Sequence, residues 1–69
     1  MKKKFVTAAI GTQGMLIFIN EHDNSTESLD KAVIHDNYIG AMHKKMSERD
    51  TFKPLLVIVD DQGNRYIPL

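Results

Sequence analysis

Apolar positions recur with two different periods along this chain. Between residues 28 and 50 the spacing is helical. At 100° per residue, Ala32, His35, Ile39, Met42 and Met46 form one band and Ile34, Tyr38 and Ala41 a second band beside it, while Asp36, Asn37, His43, Lys44, Ser47 and Glu48 take the other side. The pattern predicts one long amphipathic helix over 28–50. Ser28 is its expected N-cap, Glu27 and Asp30 lie at the positive end of the dipole, and Lys44, Lys45 and Arg49 lie at the negative end. Gly40 disagrees with this reading, because a glycine in mid-helix costs about 1 kcal/mol relative to alanine.

Elsewhere the pattern is that of strands. Residues 4–10 and 15–20 are β-branched and aromatic runs around Gly11, Thr12, Gln13 and Gly14, which predicts a hairpin. A four-residue loop opposes Ile10 to Met15, Ala8 to Ile17, Val6 to Ile19 and Lys4 to Glu21. Residues 21–27 are polar and turn-rich, and Pro54 stops the helix. The run 55–59, Leu-Leu-Val-Ile-Val, predicts a strand buried on both faces. Residues 61–64 predict a second turn and 65–69 a short return strand, with Asp60 opposite Arg65, Ile58 opposite Ile67, and Pro68 suited to an edge.

The resulting fold is α+β: a single domain, 1–69, of order ββαββ, with a four-stranded sheet and one long helix packed on one face. A helical crossover makes the second and third strands parallel neighbours, in sheet order 1-2-3-4; the fully antiparallel order 2-1-3-4 is the alternative. The helix is assigned to the face of Val6, Ile17, Ile19, Leu56 and Ile58. The face of Phe5, Leu16, Phe18, Val57, Val59 and Tyr66 is then left uncovered, and an apolar surface of that size calls for a second copy or another protein.

Composition sharpens this expectation. A chain of 69 residues has difficulty closing a sufficient core and usually needs disulfides, a metal or a second subunit. There is no cysteine, so oligomerisation becomes the expectation, and a reducing, cytoplasmic setting fits. The formal net charge is zero, which argues against a dedicated binder of nucleic acid or anionic membrane. Charges are segregated all the same: Glu21, Asp23, Glu27, Asp30 and Asp36 against Lys31 alone in 21–36, and basic clusters at Lys2, Lys3 and Lys4 and at Lys44, Lys45, Arg49 and Lys53. The N-terminal lysines followed by an apolar run resemble a signal peptide, but Gly11 to Gly14 interrupt the run and no cleavage site follows. No stretch is long enough to span a membrane.

Candidate chemistry is sparse. Glu21, His22 and Asp23 follow the second strand and Asp60 and Asp61 the third; parallel neighbours would gather them at one end of the sheet, where oxygen ligands suit a divalent cation and His22 could act as a base. The commoner reading is polar turns closing strands, and no metal or cofactor is expected. His35 falls within the dry helix face, as a hydrogen-bonded buried histidine or a pH-sensitive element; it lies about 12 Å from His43 along a helix, too far to share one metal in one chain. Gly11 to Gly14 join strands, not helices, which disfavours an RNA-backbone loop. No nucleophile motif, phosphate loop or helical histidine pair is present.

The expected function is therefore a non-enzymatic protein-interaction module of adaptor, inhibitor or regulator type, a homodimer acting through the uncovered face. The alternative is a single-stranded nucleic-acid binder that stacks bases on Phe5, Phe18 and Tyr66 beside the N-terminal lysines. A small metal-dependent enzyme ranks third.

Overall fold

The computed structural model describes residues 1–45 and 51–68, without the side chains of Lys44 and Lys45. Among these, β1 (Lys2–Ile10) is followed by β2 (Leu16–Ile19), β3 (Ser25–Thr26), a 3₁₀ turn (Leu29–Lys31), α1 (Tyr38–Lys45), β4 (Lys53–Val59) and β5 (Arg65–Tyr66). The sheet is antiparallel throughout, in order β3-β2-β1-β4-β5. Among the described residues, the expected four-stranded sheet under one long helix is thus replaced by five strands and one short helix. The preferred parallel pairing is overturned as well: β1 lies between β2 and β4, the arrangement of the 2-1-3-4 alternative with β3 added at the edge. No described helix is long and apolar enough to cross a membrane.

The three hairpins share one turn. Gly11–Met15, Asn20–Asn24 and Asp60–Asn64 each close with the first residue's N–H donating to the fifth residue's carbonyl, at 2.7, 2.8 and 2.9 Å, and the fourth residue's N–H donating to the first residue's carbonyl, at 3.0, 3.1 and 3.1 Å. The fourth residue is left-handed in every case: Gly14 at φ 78°, Asp23 at 62°, Gly63 at 84°. A three-residue loop ending in a left-handed bulge residue has this geometry. In two of the turns the first side chain reinforces it. Asn20 Oδ1 accepts the N–H groups of His22 and Asn24, and Asp60 Oδ1 those of Gln62 and Asn64.

The bulge residue moves the register by one from the expected pairing. Ala8 faces Phe18 and not Ile17, and Val59 faces Arg65 where Asp60 was expected to. Strand side chains alternate between faces, so a one-residue shift exchanges every partner. One face now holds Val6, Ala8, Phe18 and Val57, buried together with Ala32 and flanked by Leu16, Leu29, Ile34, Leu55, Val59 and Ile67. The opposite face holds Phe5, Thr7, Ile17, Leu56, Ile58 and Tyr66.

The stretch expected to be one helix instead serves both faces. Ala32 and Ile34 run extended over the core, Val33 N–H donates to the Ile19 carbonyl at 3.0 Å, and Ala32 bridges Asn20. His35 then enters the plane of the sheet beside β1, exchanging main-chain hydrogen bonds with Phe5 at 2.7 and 2.8 Å. Beyond it α1 lies on the other face, where the fully buried Ala41 presents its carbonyl to the hydroxyl of buried Thr7 at 2.8 Å. The helix starts at Asn37, whose Oδ1 accepts the Gly40 N–H at 2.8 Å in an N-cap arrangement; Ser28, the expected cap, makes no side-chain cap bond. Gly40 therefore lies in the first turn and not mid-helix. A Cβ there would sit 3.4 Å from both His35 Nδ1 and Asn37 Oδ1. The expected continuation of the helix through Met46 to Asp50, and the end of the last strand at Leu69, lie outside the described residues.

Candidate functional site

The six residues expected to share an uncovered face do not share one. Phe18 and Val57 are core residues, 3% and 0% exposed, and Leu16 and Val59 pack against them. Phe5 and Tyr66 lie on the helix side. The same division separates Phe18 from the other two members of the expected base-stacking set. The assumption that failed is that one segment covers one face, since residues 29–34 line the core and α1 covers the other side.

Apart from Met1 and from Ile10 and Met15 beside the first turn, the large apolar residues exposed among those described are Tyr38, Ile39 and Tyr66, which with Phe5 give a smaller helix-side surface. Tyr66 is 52% exposed beside Ile58, which pairs in turn with Lys3 on β1. Two residues along β1, the Phe5 ring meets the Tyr38 ring edge-on at a centroid distance of 6.0 Å. Tyr38 and Ile39, 49% and 62% exposed, begin α1. Tyr38 and Ile39 were legible only as positions in a long helix, so the sequence offered no reason to join them to Phe5 and Tyr66.

The acidic strand ends come out at one end of the sheet, because β2 and β4 both run antiparallel to β1. They are nevertheless separated by the width of β1 and occupied locally. Asp60 accepts hydrogen bonds within its own turn and from the Tyr66 hydroxyl at 3.1 Å; Asp61 lies 3.5 Å from the N-terminal ammonium; Glu21 lies 3.5 Å from His22 Nε2. Asp23 holds the left-handed bulge position. Among the described residues no three His, Asp or Glu side chains are arranged to hold a metal ion.

Two expected ion pairs are replaced. Lys4 pairs with Asp36 and not Glu21, and Asp60 gives up Arg65 for Asn64 and Tyr66. The hydrogen bond and charge of Lys4, with Lys2 adding to them, hold the Asp36 carboxyl below its ordinary value. Partial desolvation pushes the Asp60 carboxyl up, but the N–H groups of Asn64 and Gln62 with the Asn64 amide and the Tyr66 hydroxyl bring it below the ordinary value on balance. The same contact with Asp60 raises Tyr66.

Arg65 turns away from Asp60 across the open side of the core, where its Nη1 donates to the carbonyls of Leu29 at 2.7 Å and Ala32 at 3.0 Å. It borders a groove of about 740 Å³ lined also by Asn20, Glu21, His22, Lys31 and Ile34. No family model, no curated protein and no solved structure gives a significant match to this chain.

Proposed function

We propose that this chain is a non-enzymatic protein-binding module whose contact surface is the helix-side cluster of Phe5, Tyr38, Ile39 and Tyr66. The observation that supports the reading is the exposure of Tyr38 and Ile39 at the start of α1 and of Tyr66 on β5. Tyrosines offer large, stiff contact area at small entropic cost, and they are enriched where interfaces concentrate their energy. The charges around the cluster are mixed, with Asp36 paired to Lys4 and Asp60 bonded to the Tyr66 hydroxyl, which favours a protein partner over a phosphate backbone.

The first partner to test is a second copy, since a chain of this size gains stability most directly by association. Sedimentation equilibrium over about 1–100 µM should show a monomer–dimer equilibrium that Tyr38→Ala with Tyr66→Ala shifts to monomer, a loss of about 1–2 kcal/mol or more per hot-spot residue. An ideal monomer across that range would remove the homodimer, and a dimer indifferent to both substitutions would move the interface elsewhere.

A further inference from the structure

Arg65 is partly buried, and its charge has no carboxylate partner among the described residues. Both of its hydrogen bonds go through Nη1 to neutral carbonyls of Leu29 and Ala32. That anchoring fixes the guanidinium plane and leaves the edge formed by Nε and Nη2 uncommitted. This edge is the one that receives a carboxylate or phosphate through two parallel hydrogen bonds. Arg65 lines the groove of about 740 Å³ formed with the β2–β3 turn and residues 30–34. Asp60, the acid that sequence proximity would supply, is held in its own turn by the N–H groups of Gln62 and Asn64.

We infer that this groove binds a small ligand through a single anionic group, a carboxylate or a phosphate, seated on Arg65 with Lys31 at the rim. The remaining lining decides the size of the ligand's charge. Glu21 and Asp30 line the same groove, so any charge beyond a single anionic group meets two carboxylates. Ala32, Val33 and Ile34 give the floor an apolar stretch against which the body of the ligand can lie. Anchoring by carbonyls lowers the entropic cost of binding, because the arginine is ordered before the anion arrives.

The test is an NMR titration of the ¹⁵N-labelled full chain with sodium phosphate and, separately, sodium acetate at constant ionic strength, with sodium chloride as the reference. The expected result is saturable shifts of the Arg65 Nε–H and of the Lys31, Val33 and Ile34 amides, with half-saturation on the order of millimolar for so small a probe. Saturation by phosphate alone assigns a phosphate-bearing ligand, and saturation by acetate alone a carboxylate. Arg65→Lys keeps a charge but loses the fork, and should weaken binding about tenfold. Should that variant lose its folded spectrum, Lys31→Gln, at an exposed position, should leave the spectrum intact and weaken binding about threefold. Shifts that rise linearly and match those of chloride would overturn the site, as would saturable binding unchanged in the folded variants.

Discussion

Asp23 and Gly63 hold the same backbone position in two different hairpins, the left-handed residue before the last residue of a five-residue turn, at φ 62° and 84°. Gly14 holds it in the third hairpin, at 78°. The shared conformation sets the register of the three hairpin pairs, β1–β2, β2–β3 and β4–β5, and through the register it bears on which residues are core.

Substitution at this position tests that dependence. A Cβ on Gly63 would meet nothing within 4 Å, so the effect of Gly63→Ala is confined to the backbone conformation. We expect a loss of about 1 kcal/mol, or roughly 4–8 °C in Tm by calorimetry. Gly14→Ala should behave alike, for the same reason. An unchanged Tm for both would mean that the turns do not need a left-handed residue.

The division of the six apolar residues between two faces predicts unequal mutational costs. Phe18→Ala removes a ring from the core and should cost about 3–5 kcal/mol, enough to unfold much of so small a domain. Tyr66→Ala, on the exposed side, should cost the monomer under about 1 kcal/mol, including its hydrogen bond to Asp60. Urea denaturation distinguishes the two. Equal costs would restore a single shared face.

Thr7 is the one buried polar residue among those described, and its hydroxyl ties β1 to the helix at Ala41. Thr7→Val keeps the shape, removes the donor and should cost about 1–2 kcal/mol, whereas Thr7→Ser retains the bond and should cost less. Amide hydrogen exchange in α1 should rise in the valine variant more than in the serine variant. The opposite order would mean that packing alone seats the helix.

Asp36 and Asp60 both have folded-state values below the ordinary 3.8. Each therefore favours the folded state fully above its unfolded value, and that contribution is lost as pH falls through the depressed folded value. Stability measured by urea melts should be flat from neutral pH down to about 5 and decline below about 4. Asp36→Asn and Asp60→Asn should each flatten the decline. A decline that begins above pH 5 would require a different titrating group.

Tyr66 is raised above the ordinary 10.0 by its contact with Asp60. Spectrophotometric titration should resolve its ionisation above that value, and Asp60→Asn should lower it. An unshifted titration would break the Tyr66–Asp60 contact that closes the last hairpin.

Sequence by itself determined where four of the five strands and two of the three hairpin turns lie, because β-branched runs bounded by Gly, Asn and Asp have few other solutions. Both hairpins around Gly14 and Gly63 were legible, though each was read one residue too short. The Asn20–Asn24 turn was hidden, because Asp23 stands where the other turns carry glycine and β3 is two residues long. What only the tertiary structure decided is the fate of residues 28–45. Ala32, Ile34, Tyr38 and Ala41 satisfy a helical period, yet Ala32 and Ile34 equally satisfy a strand period of two, and so short an apolar run carries both signals. Open hydrogen-bonding positions on Phe5 and Ile19 settled the choice by taking His35 and Val33 as extended partners. The helix was left to begin at Asn37, and Arg65 was left without its neighbouring acid. The candidate surfaces follow from those two long-range outcomes, and no local pattern in the sequence encodes either of them.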